Sequence, residues 1–286
     1  MDNLKAKKRH PEEIAVYTAI YVCAAFSVLL LLGIIIYVFA KGARRVNWAF
    51  LTGVTSILHG TVGIAGNILN TLIIILLTMI ITTPIGVGAA IYLNEYAKPG
   101  KLVTVIIFAT ETLAGIPSII FGLFGMLFFG QLCHMGYSLL TGSLTLTLMV
   151  LPLVTRNTQE ALKTVPDSFR TGAVGLGAGK WYTIRTILLP SAMPGIVTGV
   201  ILAIGRIIGE SAALLFTAGS VHLLPKTFNA FLEKIFHSGG TLTIQLYLSA
   251  SKGEFEVAFG IAVVLLVIVL LINFGTKRLA KKLEKH

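Results

Sequence analysis

Residues 14–40 contain no charged side chain. A helix of that length rises about 40 Å at 1.5 Å per residue, more than the roughly 30 Å hydrocarbon core of a bilayer. The apolar part of a cleaved secretion signal is only about 7–15 residues long, so this run is read as a retained span. Similar runs follow at roughly 67–93, 102–130, 139–155, 187–218 and 256–276. Six membrane helices result. The 55% hydrophobic and 12% charged residues fit that reading, since a soluble domain carries about 25% charged residues. With a mean hydropathy of +0.87, disorder, a disulfide scaffold and a collagen-like fibre are excluded. The chain is predicted to be an all-α integral membrane protein. Its fifth span carries Arg206 and Glu210, so a break or partial burial is expected there.

The formal net charge is +11. In a soluble chain this would raise the question of nucleic acid; here the positive-inside rule is the simpler account, and no nucleic-acid partner is expected. With both ends placed in the cytoplasm, sixteen Lys and Arg fall inside and six outside, Arg206 staying within a span. N-in, C-in is therefore the predicted orientation. Lys41, Arg44 and Arg45, just outside the first span, go against the rule.

Pro84, Pro117, Pro152, Pro190 and Pro194 fall in or at the ends of spans. Such breaks survive in a membrane only where protein or a water-filled cavity meets the freed carbonyls. Gly195 with Gly199, and Gly205 with Gly209, form two small-xxx-small pairs, read as tight intramolecular packing before a dimer face. Cys23 and Cys133 have no metal-type spacing and are read as packing residues.

Catalytic constellations are missing from the sequence. The stretch Gly175-Leu-Gly-Ala-Gly-Lys180-Trp181 fails as a phosphate loop, which would need glycine at Val174 and a hydroxyl at Trp181. The six histidines, His10, His59, His134, His222, His237 and His286, are scattered without metal spacing. No Ser lies in a nucleophile elbow.

More is carried by ionisable residues inside spans. Arg206 and Glu210, four apart, share one face of a continuous helix. A charge near the bilayer centre costs about 2.5–3.5 kcal/mol on insertion scales, so each needs a partner or water. A structural ion pair and a polar wall of a translocation path, with Arg206 offering its guanidinium to an oxyanion, both stay open. Glu111 is expected to pair with Arg206 or with Arg156. Between Arg156 and Pro190 the chain is amphipathic, basic and rich in glycine. Pro166 and Asp167 suit a helix first turn, and the glycines at 172, 175, 177 and 179 suit a bend between two short helices.

The spacing Thr171-Gly172-Ala173-x3-Gly177-x9-Ile187-x-Leu189-Pro190 resembles the EAA loop of ABC importer permeases, E-A-A-x3-G-x9-I-x-L-P. Thr171 stands where that family usually has Glu, and Gly172 where it has the first Ala. Leu151-Pro-Leu-Val-Thr-Arg156, Val165-Pro-Asp-Ser-Phe-Arg170 and Gly205-Arg-Ile-Ile-Gly-Glu210-Ser are similar to phosphate-importer permeases of the PstA type. So are Leu189-Pro-Ser-Ala-Met-Pro-Gly195, Ala90-Ile-Tyr-Leu-Asn-Glu-Tyr96 and Leu113-Ala-Gly-Ile-Pro-Ser118.

That resemblance implies a type I importer permease fold with cytoplasmic coupling helices, in the inner membrane of a prokaryote. It divides the chain into a basic segment 1–13, a first helix and outer loop 14–65, a permease core 66–276 with coupling loop 156–186, and a basic tail 277–286. It implies a heterodimer with a second homologous permease, two copies of an ATPase subunit that hold the ATP and Mg, and an extracytoplasmic phosphate-binding protein. No cofactor is implied in this chain. Arg156, Arg206, Glu210 and Glu111 are the implied translocation path, and Thr171, Gly172, Ala173, Gly177, Ile187, Leu189 and Pro190 the ATPase-coupling residues. Permeases for molybdate, sulfate or phosphonate share the EAA loop, and a proton-coupled secondary transporter would also carry buried Glu and Arg without needing that loop.

Overall fold

The computed structural model describes residues 11–56, 61–225 and 227–283, without the side chains of 11, 12, 14, 56, 61 and those from 279 onward. Of the basic residues counted above, Lys5, Lys7, Lys8, Arg9, Lys226 and Lys285 lie outside the described residues, as do His10, His59 and His286.

Helix α1 (Pro11–Gly42) is apolar on every side, and no residue of its hydropathic stretch is buried. It touches the rest of the protein along α13 (Phe255–Leu283), where Tyr37 meets Phe259 edge to face at 5.7 Å between centroids. A short helix α2 (Trp48–Thr52) and a two-stranded antiparallel hairpin, β1 (Val54–Ser56) with β2 (Thr61–Ile64), follow. The hairpin is the one departure from all-α among the described residues. Arg45, from the trio that opposes the charge rule, lies over the Phe50 ring at 5.9 Å, so protein contact holds it there.

The body of the fold is α3 (Ala65–Ile91), α6 (Leu139–Lys163) and α9 (Leu189–Gly209), with α13 against α9. Ile73 and Ile74 of α3, Leu146, Met149 and Val150 of α6, and Ala203 and Ile207 of α9 share one buried core. Gly195 and Gly199 make the close approach possible. A Cβ on Gly195 would stand 2.5 Å from Ala161 Cβ, and one on Gly199 2.7 Å from Asn157 Cβ. Both are intramolecular contacts, whereas nothing lies within 4 Å of a Cβ on Gly205 or Gly209. Hydroxyls in α6 are satisfied one turn back: Ser143, Thr145 and Thr147 donate to the carbonyls of Leu139, Thr141 and Ser143 at 2.8–2.9 Å.

The third predicted span is not one straight helix. α4 (Lys101–Gly115) and α5 (Ser118–Gly125, continued by a π turn through Leu132) meet at 103°. Pro117 cannot continue α4 and holds Ile116 in an extended conformation, ψ 132°. Five helices are thus long and apolar enough to cross a membrane, or six where the bent pair counts as one. The fifth predicted span breaks at Glu210, after which α10 (Ala212–Thr217) begins. The connection from 218 to 241 holds the short helix α11 (Phe228–Glu233) before α12 (Leu242–Ser251), and it is pinned by two buried amides. Asn67 and Asn70 of α3 donate to the Gly240 carbonyl at 3.0 and 2.9 Å, and Asn70 also reaches that of Val221 at 3.1 Å. Irregular backbone beside the membrane is tolerable where protein groups bind it in this way. Cys23 and Cys133 are both free and exposed, which corrects their reading as packing residues: each sits on an outward face, not in the core.

Candidate functional site

A cavity of about 210 Å³ opens between α4, α6 and α9. Its apolar wall includes Ile107, Met149 and Leu153, and its ionisable lining is Glu111 from α4, Arg156, Glu160 and Lys163 from α6, and Arg206 from α9. Pro152 lies on the same wall. Having no N–H, it leaves the Leu148 carbonyl, about two turns before Arg156, without its helical donor.

Arg156 is held between two carboxylates. Its Nη1 lies 3.4 Å from Glu111 Oε1 and its Nε 3.3 Å from Glu160 Oε1, and the Arg156 and Glu111 side chains are 64% and 54% exposed. Glu111 therefore takes the second of its two expected partners. Arg206 faces the same cavity with no ion pair or hydrogen bond among the described residues. Three of the four expected path residues are thus brought together. Glu160 and Lys163 complete the lining and were not anticipated, although Glu160 stands one helical turn after Arg156, a spacing legible in the sequence.

Glu210 corrects the expectation of a shared face with Arg206. α9 ends at Gly209, and Glu210 adopts an extended conformation (φ −80°, ψ 124°). Its buried carboxylate turns away and accepts from the Ala213 N–H at 3.0 Å, capping the start of α10, while its carbonyl accepts from Thr243 Oγ1 at 2.8 Å. The i,i+4 argument fails because the helix does not continue through the fourth residue.

The segment after α6 forms the expected helix pair: α7 (Asp167–Gly175), then α8 (Lys180–Thr183), which runs through a π turn at Ile184–Leu188 into α9. Gly177 adopts φ +79° at the bend. The Ala178 N–H donates to the Ala173 carbonyl at 2.9 Å and that of Gly177 to Val174 at 2.9 Å, the paired bonds of a left-handed helix stop. Thr171 is exposed and its hydroxyl turns back onto the Asp167 carbonyl at 3.2 Å. Gly172 is exposed and Ala173 buried. Ile187 and Leu189 are half-buried around the fully buried Leu188, and the exposed Pro190 follows directly on the π turn, within a helix that is continuous from α8 into α9. Phe169, Leu176 and Trp181 face outward, but Ile184 is buried against Leu162 and Leu188.

Residues 82–286 match the family described as binding-protein-dependent transport system inner membrane component. The probable ABC transporter permease protein YqgI of Bacillus subtilis is 36% identical over 273 residues, covering 92% of this chain and 93% of its own. A phosphate transport system permease protein PstA of Xylella fastidiosa is 35% identical over 246 residues, covering 84% of this chain and 82% of its own. Among solved structures, a bacterial alginate ABC transporter in complex with alginate pentasaccharide-bound periplasmic protein superposes with TM-score 0.71 at 14% identity over 96% of each chain. The MetNI methionine ABC transporter, in an inward-facing conformation, superposes with TM-score 0.58 at 21% identity over 77% of this chain and 94% of its own. At those identities the two structures share the fold alone.

Proposed function

The chain belongs to the binding-protein-dependent transport system inner membrane component family, and from that premise we propose that this ABC importer permease passes inorganic phosphate across the inner membrane. The observation that carries the reading is the convergence of two guanidinium groups, Arg156 and Arg206, on one cavity walled by apolar helices. Phosphate carries a charge of about −1.5 to −2 near neutral pH, and crossing a low-dielectric span requires compensating cations or a hydrated path. Arg206 is free to bind an oxyanion, and the Arg156 Nη1 becomes available when Glu111 is displaced, while its Nε stays paired with Glu160. The PstA-named relatives support phosphate as the cargo.

The same cavity supports a second permease as partner. No residue of α4 is buried, and Glu111, Arg156 and Arg206 would meet lipid if that face stayed open. A homologous subunit closes the face in this reading, and an extracytoplasmic phosphate-binding protein delivers the ligand. Two ATPase subunits hold the ATP and Mg, and one of them docks on α7 and α8, where Phe169, Leu176 and Trp181 are exposed. ATP binding draws the ATPase pair together, the coupling helices carry that movement into α6 and α9, and the cavity opens alternately outward and inward. Thr171, Gly172, Ala173 and Gly177 form the docking turn, and Ile187, Leu189 and Pro190 its junction with α9. Glu210 holds the α9–α10 break and takes no part in the path.

Uptake of labelled phosphate by host cells with and without the chain, at low external phosphate, tests the reading. Uptake that needs the chain and ATP, survives collapse of the proton gradient and ignores excess sulfate or molybdate is expected. Uptake that follows the gradient, or that the competing oxyanions block, refutes phosphate import as stated.

A further inference from the structure

One guanidinium ties the coupling segment to two spanning helices. α3 ends in a π turn, Tyr92–Tyr96, and Glu95 within it has a side chain only 8% exposed. Arg170 of α7 reaches it from 75 residues along the chain: Nη2 donates to Glu95 Oε1 at 2.9 Å and Nε at 3.3 Å. The same Nη2 donates to the Leu162 carbonyl at 3.0 Å, and Nη1 donates to the Val165 carbonyl at 3.0 Å and to Asp167 Oδ1 at 2.9 Å. Leu162 lies in the last turn of α6, so α3, α6 and α7 meet on one planar group.

Two neighbours extend the clasp. Asn94 Nδ2 donates to Glu95 Oε1 at 2.7 Å, and Lys180 Nζ at the start of α8 stands 4.8 Å above the Tyr96 ring. The bond to Glu95 raises the Arg170 pKa above its ordinary value against the opposing effect of burial. An exposed ion pair adds little, but a mostly buried carboxylate stripped of its cation is costly, and a guanidinium fork fixes direction as well as charge. The clasp is therefore suited to bearing a load.

We propose that Glu95 and Arg170 are positioning residues that lock coupling helix α7 to the cytoplasmic end of α3, so that a displacement of α7 moves α3 and α6 as one body. The proposal rests on the permease reading. It supplies the link between the docking turn and the cavity, because Arg156 stands on α6, which packs along α3. A clasp that merely stabilised the fold would alter the amount of assembled importer and leave its coupling intact.

The test uses the assembled importer with its ATPase in membrane vesicles, with the exposed Cys23 and Cys133 replaced by Ser in every variant. In Glu95→Gln, ATP hydrolysis continues and phosphate uptake per ATP falls by about tenfold, the loss expected for one charge-assisted bond. The pair Glu95→Cys with Arg170→Cys is uncoupled in the same way and recovers when a thiol-bridging reagent joins the two positions. Normal coupling in Glu95→Gln, or a bridged protein that stays uncoupled, overturns the proposal. A third measurement is independent of cargo: spin labels at Lys98→Cys and Ser168→Cys, both exposed positions, report the α3–α7 separation with and without ATP. One unchanging distance is expected with the clasp intact, and a broadened one in Glu95→Gln. A distance that changes through the cycle of the unsubstituted clasp overturns the lock even if phosphate is imported. Absent phosphate uptake with an unchanging distance refutes the cargo and leaves the lock standing.

Discussion

Gly177→Val isolates backbone conformation from packing. Gly177 has φ +79°, and nothing lies within 4 Å of a Cβ built there, so the added Cβ meets no clash. The cost is conformational: a residue with a Cβ in the left-handed region loses about 1–2 kcal/mol, and a β-branched residue sits there worst of all. That strain bears on the two bonds that end α7, Ala178 N–H to the Ala173 carbonyl and Gly177 N–H to that of Val174. If α7 and α8 need this turn to present their docking face, a 1–2 kcal/mol penalty lowers the population of the competent turn by about 5–30-fold. Uptake per ATP should fall by a similar factor, while the amount of assembled membrane protein stays near normal because the turn is outside the core. Asn tolerates the left-handed region better than Val, so Gly177→Asn should retain more coupling than Gly177→Val. Parallel assays of ATP hydrolysis and phosphate uptake on the purified importer decide it. Unchanged uptake per ATP in the Val variant, or equal losses in Asn and Val, would refute the conformational argument.

Arg206→Ala should lower phosphate uptake by about 10–100-fold, the range for losing a charge-assisted contact, with assembly unchanged; Arg206→Lys should recover part of it. Saturation curves of labelled uptake check both. Gly195→Leu should overpack the α6–α9 contact and cost about 1–3 kcal/mol, visible as less folded protein in detergent, whereas Gly205→Ala, with open space around it, should fold normally. Lys234, on the 218–241 connection, is buried, and its ammonium donates to the Leu223 carbonyl. Desolvation lowers its pKa, so the folded chain binds fewer protons there than the unfolded one. Stability should then rise with pH from the lowered folded value up to about 10.4, the ordinary lysine value. Lys234→Met should remove that slope, as thermal unfolding at neutral and alkaline pH would show.

Much of the membrane architecture was legible because bilayer thickness imposes a length on every span. The long apolar runs mark α1, α3, α6, α9 and α13, and the glycine spacing marks the α7–α8 bend. Periodicity could not locate breaks that depend on tertiary contacts. Glu210 looks like one more turn of α9 after Arg206, yet the Ala213 N–H and Thr243 hydroxyl hold it in an extended conformation. Pro117 was visible as a breaker, but the 103° between α4 and α5 also depends on their packing: α5 presses Gly122 on Ala213 and Gly125 on Thr145. Asn67 and Asn70 read as ordinary polar residues in a span, because the carbonyls they serve lie 151–174 residues away. Glu95 and Arg170 each fell in a block resembling PstA-type permeases, and only the fold brings those blocks together.

α9 carries one glycine pair packed in the core and another beside the cavity. Its glycines at 195 and 199 are filled by Ala161 and Asn157 of α6 and belong to the core. Gly205 and Gly209 flank Arg206 with open space above them, on the stretch that borders the cavity. A large side chain beside Arg206 would keep a second subunit at a distance and leave the guanidinium facing lipid, whereas glycine lets a neighbouring backbone come close. The open pair thus supports a second permease closing over the cavity, with the filled pair holding α9 rigid against α6 beneath it. On that reading the two pairs are not interchangeable. Bulk at Gly195 should destabilise the chain by itself, while bulk at Gly205 should matter only in the assembled importer, where it would reduce co-purification of the partner permease. Equal losses of folded monomer at both positions would show that the second pair is also part of the chain's own core.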